Sequence, residues 1–317
     1  MRAEFDLIKK YFTKPTPNAD LGVGDDAALI RVSPGYQLAV SADMSVVGTH
    51  FYADCPPEDI GWKSLAVNIS DLAAMGAQPK WMTLAIALPE QNHEWLSAFS
   101  GGFFACAEEF GVDLIGGDTT RGPLNIAVQI MGEVPVGKSL LRSGAQVGDD
   151  IWVSGFIGSA ALGLAHLQEK IVLPEDVAAV CLRALLHPQP RLALGLALVG
   201  VANSCIDISD GLVGDLGHIL RASGLGAALN LEAIPCLPFA SSALDSPVIQ
   251  HAILAGGDDY ELCFTAPSSQ YAQIQGISKS LGLPLARIGQ TTSGSDLQVH
   301  YQNNLLSLAT EGYDHFG

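Results

Sequence analysis

Four short motifs place aspartates beside glycine or a small hydroxyl residue, where a loop or a helix end can approach a ligand. They are Gly22–Asp26, Ser41–Asp43, Gly116–Gly122 and Ile206–Gly211. Each motif adjoins a short apolar run, so its carboxylate is expected where a buried segment ends. Taken singly, each is explained at least as well by an ordinary turn or helix cap, because Asp, Ser and Gly are common residues at both.

Taken together, the four motifs favour the binding of divalent cations. Mg²⁺ takes oxygen ligands and is commonly held by one or two carboxylates, water and substrate phosphates. The chain has 16 Lys and Arg residues against 33 Asp and Glu residues, for a net charge of −17. Such a chain repels nucleic acid, anionic membranes and nucleotides unless metal ions intervene. We therefore predict an enzyme that uses ATP with several Mg²⁺ ions per site, and no nucleic-acid or membrane partner.

The motifs also indicate a class of reaction. They contain no Ser-His-Asp or Cys-His arrangement, and the nearby His50 is as well explained by a surface or core position as by a ligand contact. Phosphoryl transfer suits this set, because it depends more on positioning and charge neutralisation than on covalent catalysis. We therefore expect no general base and assign no catalytic side chain.

The rest of the composition predicts a cytoplasmic protein. The six cysteines are widely spaced and mostly lie in apolar stretches, which is typical of reduced, buried thiols. The first ten residues carry acids and no apolar run like that of a secretory signal. No segment has the uninterrupted apolar length of a membrane span.

One sequence match to a nucleotide-binding loop is rejected. The stretch Gly132–Ser139 fits the P-loop pattern, but Pro135 removes a backbone N–H from the middle of the loop. The residues that follow include Gly144 and Gly148 and do not predict a helix, whereas a P-loop opens directly into one. The aspartate motifs, not this stretch, are the predicted nucleotide site.

A buried helix is predicted over Glu58–Met75, with apolar residues on nearly all sides. Ser64, Asn68 and Asp71 lie at i, i+4 and i+7, so they share one stripe of this helix. A buried carboxylate needs a partner, a proton or a metal ion, so Asp71 is a candidate ligand.

The remaining patterns predict a two-domain α/β protein with the boundary in a glycine-rich stretch near Val136. Residues 1–136 are expected to form the N-terminal Mg²⁺- and ATP-binding domain, and residues 137–317 a C-terminal α/β domain. Short strands are predicted at Ala27–Ile30, Leu38–Ser41 and Val112–Ile115. Strands and helices alternate through most of the second half.

The four motifs, together with Asn68–Ala77 and Gly256–Phe264, resemble those of the thiamine-monophosphate kinase family. The resemblance runs nearly end to end. It implies the aminoimidazole ribonucleotide synthetase-like fold, with an N-terminal mixed-sheet domain that forms a homodimer and a C-terminal α/β sandwich that completes the substrate cleft. The implied reaction transfers a phosphoryl group in line from ATP to thiamine monophosphate, templated by several Mg²⁺ ions, and gives thiamine diphosphate.

The resemblance also implies roles for individual residues, assigned by motif position. The metal ligands would be Asp26, Ser41, Asp43, Asp71, Asp118, Asp207 and Asp210. The ATP contacts would be Gly117, Asp118, Arg142 and Ser209. The contacts to thiamine monophosphate would be His50, Asp258 and Tyr313.

Two positions depart from the family pattern, and two other functions stay open. Many relatives have Glu in place of Asp258 and a hydroxyl residue in place of Ala42. The alternatives are another ATP-using member of the same superfamily and a non-catalytic Mg²⁺-nucleotide sensor. A sensor could lose the acceptor contacts, so the presence of His50 and Tyr313 favours the kinase.

Overall fold

The computed structural model of this chain describes residues 3–306. They divide into two compact units. The N-terminal unit contains the residues up to Leu72 together with Ala77–Gly137, and the C-terminal unit contains Ala73–Gly76 and the residues from Lys138 onward. Across the described residues, no helix has both the length and the apolar character needed to cross a membrane.

The N-terminal unit consists of three helices and one sheet. The helices are α1 (Ala3–Tyr11), α2 (Pro57–Ala74) and α3 (His93–Phe110). The strands are β1 (Tyr36–Val46), β2 (Gln78–Leu88), β3 (Asp113–Arg121) and β4 (Asn125–Pro135).

The order β1-β4-β2-β3 makes β1 and β3 the edges of this four-stranded sheet. β4 runs antiparallel to both β1 and β2, whereas β2 and β3 are parallel. The inner face of the sheet is apolar and buried at Leu84, Ile126, Val128 and Ile130. The polar residues Ser41 and Asp43 pair with Ile130 and Val128, so they share this inner face at its edge.

Helix α2 is apolar on nearly all sides because it packs closely against α3 as well as lying near the sheet. At Gly102 of α3, a Cβ atom would stand 1.9 Å from the backbone oxygen of Glu58, so any larger residue would push the helices apart. Gly61 of α2 makes the corresponding approach to Phe99. The close approach of α3 helps to fix α2 and the side chains of its polar stripe.

The C-terminal unit contains the remaining elements. Its helices are α4 (Ser159–Leu167), α5 (Glu175–Leu186), α6 (Leu192–Leu198), α7 (Leu212–Ser223), α8 (Pro238–Ser241), α9 (Pro247–Leu254) and α10 (Tyr271–Leu281). Its strands are β5 (Asp150–Ser154), β6 (Ser204–Asp207), β7 (Gly226–Asn230), β8 (Leu262–Ala266), β9 (Leu285–Thr292), β10 (Leu297–Tyr301) and β11 (Asn304–Leu305).

These strands form a seven-stranded mixed sheet in the order β11-β10-β7-β9-β5-β8-β6. Its central strands β5 and β8 are buried along their whole length, which explains their continuous apolar runs. Helices α4, α7 and α9 contribute apolar side chains to one core with β5, β6 and β7. The mixed helix and sheet content of both units confirms the predicted fold class, while the sandwich description of the C-terminal unit stays a prediction.

Two predicted strands were wrong in ways that affect the site. Ala27–Ile30 is not a strand, because only Leu29 forms an isolated bridge there, to Leu21. Strand β3 does not end at Ile115 but continues through Gly117 and Asp118. The glycines of this motif look like a turn in the sequence, yet pairing with β2 keeps the segment extended.

A buried ion pair ties the start of β8 to the start of α6. Arg191 donates from Nε to Oε2 of Glu261 at 2.7 Å and from Nη2 to Oε1. The hydroxyl of Ser154 donates to the same carboxylate at 2.5 Å. Only 6% of the Glu261 side chain is exposed, so its charge depends on these partners.

We expect Arg191→Met to lower the free energy of unfolding by about 3 kcal/mol, because it leaves the Glu261 carboxylate buried without its cation. Urea denaturation followed by tryptophan fluorescence measures the change. Lys279→Met is the control, since Lys279 is an exposed cation in the same unit. Equal effects of the two variants would contradict the prediction.

Candidate active site

The first group of predicted ligands lies where the edge strand β1 meets helix α2. Ser41 donates a hydrogen bond from its hydroxyl to Oδ2 of Asp71. The backbone N–H of Asp43 donates to Oδ1 of Asn68 at 3.2 Å. Asn68 is fully buried, and its Nδ2 donates to the Ser64 carbonyl at 3.0 Å. Of the predicted stripe, Asn68 and Asp71 therefore bond to the strand, while Ser64 bonds within the helix to Ile60 and Asn68.

His50 lies in the turn that follows β1. The backbone N–H of Val46 donates to its Nδ1 at 3.1 Å, so Nδ1 is an acceptor and the proton of the neutral ring is on Nε2. The backbone N–H of His50 donates to the Val46 carbonyl at 2.9 Å. The imidazole is thus fixed in one tautomer by the turn itself.

Asp26 lies in an exposed turn between the bridged residues Leu21 and Leu29. Its backbone N–H donates to Oδ1 of Asp25 at 3.0 Å. The turn explains why Asp and Gly occur here.

Gly117 and Asp118 lie on β3, at the opposite edge of the sheet from β1. Gly117 pairs with Leu84 and Asp118 with Ala85 of β2. Three strand spacings separate β3 from β1, and each spacing is about 4.8 Å, so roughly 14 Å of sheet lies between Asp118 and Asp43. A single chain does not bring these two predicted ligands together.

Among residues 3–306, no group of three or more His, Cys, Asp or Glu side chains is close enough to hold a metal ion. The Ser41–Asp71 pair still fits a site for Mg²⁺, because that ion commonly takes only one or two protein carboxylates and completes its shell with water and phosphate oxygens. A hard cation is also suited to an all-oxygen set of this kind.

In the C-terminal unit, the predicted ligands lie at the end of β6 and in the loop before α7. Asp207 is the last residue of β6 and is buried, and Ser209 and Asp210 follow in the loop. Both of their backbone N–H groups donate to Oδ2 of Asp215 at 3.0 Å. Asp215 lies on α7 and only 3% of it is exposed, so a buried carboxylate of the helix holds the Ser209–Asp210 loop.

Burial and neighbouring charges shift the pKa values of two side chains near this loop. Burial raises the pKa of Asp215 to about 7, although hydrogen bonds from the loop N–H groups and the positive charge of Arg142 oppose that rise. Partial desolvation lowers the pKa of His218, and Arg221 and Arg142 lower it further. The N–H of Cys205 on β6 donates to the carbonyl of Leu141 at 2.9 Å, so the neighbouring Arg142 lies beside that strand. Its contact with ATP stays a prediction.

Asp258 lies in a loop that pairs main chain to main chain with the Ile208–Ser209 segment. The N–H of Asp258 donates to the Ser209 carbonyl, and the N–H of Tyr260 to the Ile208 carbonyl, both at 2.8 Å. At Gly257 a Cβ atom would stand 2.4 Å from the Ser209 oxygen, so glycine is needed for this approach. The predicted acceptor contact is thus attached directly to the predicted ATP-binding loop.

The polar residues of the Gly256–Phe264 motif make different contacts, which could not be predicted from the sequence. Asp259 accepts from the N–H of Gly158 at 2.8 Å at the start of α4. Glu261 forms the ion pair with Arg191, and the Tyr260 hydroxyl donates to Oδ1 of Asp258 at 3.1 Å. Asp259 and Glu261 are structural, while the acceptor contact of Asp258 stays a prediction.

The sequence analysis missed Asp215, which accepts from the Ser209–Asp210 loop, and Tyr260, which donates to Asp258. A carboxylate at the first turn of α7 looks like an ordinary helix-start acid, and only the fold shows that it binds the preceding loop. Tyr313 lies outside the described residues. The rejected P-loop match has no loop-to-helix context, since Gly132–Pro135 belongs to β4 and Lys138–Asp149 contains no helix.

Most of the predicted site residues therefore lie in three groups. Ser41, Asp43 and Asp71 lie together at the β1 edge, and Gly117 and Asp118 lie at the β3 edge. Arg142, Ser209, Asp210 and Asp258 lie around the loops at the end of β6. Asp207 is at the start of the same loop.

Comparison with protein families accounts for nearly the whole chain. Residues 24–134 match the N-terminal domain of AIR synthase related proteins, and residues 146–302 match their C-terminal domain. The thiamine-monophosphate kinase of Salmonella typhimurium is 42% identical, over 99% of this chain and 98% of its own length.

Solved structures give the same result. The crystal structure of thiamine-monophosphate kinase from Stenotrophomonas maltophilia superposes with a TM-score of 0.84 at 44% identity, covering 92% of this chain and 93% of that one. AaThiL complexed with AMPPCP and TMP superposes with a TM-score of 0.78 at 28% identity, covering 98% and 96%. The chain belongs to the thiamine-monophosphate kinase family of AIR synthase related proteins.

Proposed function

We propose that this protein phosphorylates thiamine monophosphate with ATP to give thiamine diphosphate and ADP. The observation that carries the proposal is the 42% identity to a thiamine-monophosphate kinase over 99% of the chain. A solved relative, AaThiL, is described as complexed with AMPPCP and TMP, an ATP analogue and the acceptor named here. The residues assigned to both substrates are present at the motif positions.

The proposed ligands for several Mg²⁺ ions are oxygen donors. In the N-terminal unit they are Asp26, Ser41, Asp43, Asp71 and Asp118, and in the C-terminal unit Asp207 and Asp210. Bound Mg²⁺ would neutralise phosphate charge and hold the two substrates for in-line transfer. The carboxylates need that neutralisation, because in a chain of net charge −17 they would otherwise repel both phosphorylated substrates.

On the ATP side, we assign contacts to Gly117, Asp118, Ser209 and Arg142. Arg142 is exposed and its charge acts at the loop that carries Ser209. A guanidinium is a permanent cation with a planar set of donors that suits phosphate oxygens. Ser209 is held in place by the Asp215 carboxylate, so its hydroxyl is presented from a fixed loop.

On the acceptor side, we assign contacts to His50, Asp258 and Tyr313. The acceptor phosphate oxygen is already anionic near neutral pH, so no side chain has to remove a proton from it. His50 carries its proton on Nε2, which suits donation to an acceptor oxygen. The Asp258 carboxylate suits the positive charge of a thiazolium ring, and the aromatic face of Tyr313 suits the same cation.

We further propose that the protein is a homodimer formed by its N-terminal units. The outward face of the edge strand β1 exposes Leu38, Val40 and Met44, which are 40%, 51% and 55% exposed. Alternate apolar residues on an exposed edge strand favour pairing with another sheet, and a second copy offers the same face by symmetry. We propose that each site takes Asp43 from one copy and Asp118 from the other, because one chain keeps them at opposite edges of the sheet.

The two alternatives of the sequence analysis differ from the kinase in measurable ways. A sensor would bind Mg²⁺-nucleotide without forming product, and another superfamily enzyme would not use thiamine monophosphate. The cytoplasmic location is supported by the six cysteines, all free thiols, five of them buried.

We expect purified protein with Mg²⁺, ATP and thiamine monophosphate to form thiamine diphosphate, measured by chromatography. Asp43→Asn and Asp118→Asn should each reduce turnover by at least about a hundredfold, because each removes a carboxylate proposed to hold a Mg²⁺ ion that neutralises phosphate charge. Circular dichroism checks that both variants stay folded. Tight nucleotide binding without product would contradict the kinase, and near-normal turnover would remove those residues from the metal site.

We expect activity to return when Asp43→Asn and Asp118→Asn chains are mixed after mild unfolding and refolded together. If each site takes Asp43 and Asp118 from different protomers, random mixing restores about one quarter of the wild-type activity. Each heterodimer then contains one site with both carboxylates. Mixing that stays inactive, while light scattering shows dimers, would contradict a shared site.

We expect Asp215→Ala to raise the KM for ATP by about tenfold, because two loop N–H groups lose their acceptor. The exposed Asp176 provides the control, and Asp176→Ala should leave the KM for ATP unchanged. Initial rates at saturating thiamine monophosphate measure both. A KM within twofold of the wild-type value for Asp215→Ala would contradict the role of Asp215.

A further inference from the structure

Two side chains of the Gly256–Phe264 loop contact each other. The Tyr260 hydroxyl donates to Oδ1 of Asp258 at 3.1 Å. The side chains of Asp259 and Glu261 instead contact Gly158 and Arg191. Asp259 and Glu261 thus bond to other parts of the fold, whereas Asp258, the proposed acceptor contact, bonds to Tyr260.

The backbone of Asp258 and of Tyr260 has a conformation that residues other than glycine rarely adopt. Asp258 has φ = 70° and Tyr260 has φ = 50°, both in the left-handed region. Such residues persist where neighbouring contacts fix them, and they concentrate at ligand-binding positions. Here the contacts are the main-chain hydrogen bonds from Asp258 to Ser209 and from Tyr260 to Ile208, both 2.8 Å long.

We propose that Tyr260 is a positioning residue for the acceptor. Its hydroxyl orients the Asp258 carboxylate, which we assign to the acceptor. A short carboxylate can rotate about two bonds, and a cationic ring is bound well only when that rotation is restricted before binding. One oxygen of Asp258 accepts from Tyr260, and a carboxylate has further lone pairs for the cation. This inference rests on the proposed kinase function and adds a residue to its acceptor side.

Tyr260→Phe tests the proposal, because it removes one oxygen and keeps the ring. We expect the KM for thiamine monophosphate to rise about tenfold, with kcat and the KM for ATP within twofold of wild type. Tyr271→Phe is the control in the same unit, since the Tyr271 ring packs against Trp152 and is half exposed. It should leave all three constants unchanged, and a thermal melt checks that both variants are folded.

A double-mutant cycle separates positioning from a general effect on the fold. If Tyr260 acts through Asp258, then Tyr260→Phe changes the KM for thiamine monophosphate by less than about twofold when Asp258→Ala is already present. A tenfold rise in both backgrounds would overturn the proposal, as would a Tyr260→Phe enzyme with the wild-type KM. Absence of thiamine diphosphate with the wild-type protein would instead overturn the proposed function.

Discussion

Like charges repel, and the placement of the acidic residues in this protein follows from that constraint. Two carboxylates roughly 4 Å apart near a protein surface cost about 4 kcal/mol, so a folded chain cannot collect many of them at one point without cations. Within the N-terminal unit, the structure keeps Asp43 and Asp118 apart, at opposite edges of the sheet.

Because the predicted ligands lie on separate elements, the contacts that hold each of these elements in place are important. Ser41 and Asn68 fix the β1 group, and Asp215 fixes the loop of Ser209 and Asp210. Each of these contacts joins a ligand-bearing segment to a helix. Of the two Asp residues in the Gly256–Phe264 loop, Asp259 accepts from Gly158 at the start of α4, and we propose a substrate contact only for Asp258.

Part of the fold was predictable from sequence, because the apolar run predicted as a helix over Glu58–Met75 specifies α2 (Pro57–Ala74) to within a residue at each end. The family and the α/β class were likewise predictable from motifs of high specificity. Strand pairing was not, since it depends on partners far away in the chain. Asp118 appeared to lie in a glycine turn, and only its pairing with Ala85 of β2 shows that it lies inside an edge strand. Asp215 and Tyr260 were missed for the same reason, because their partners are defined by the tertiary contacts of a loop.

The main-chain hydrogen bond from Asp258 to the Ser209 carbonyl links segments that we assign to different substrates. If a nucleotide binds at Ser209 as we propose, a shift of that loop would reach Asp258 through the main-chain hydrogen bonds that join the two segments. Such coupling must be reciprocal: by whatever factor the nucleotide changes the affinity for the acceptor, the acceptor changes the affinity for the nucleotide. The two substrates of this enzyme would then bind as a thermodynamically coupled pair, with the order of their arrival irrelevant to the free energy of the ternary complex.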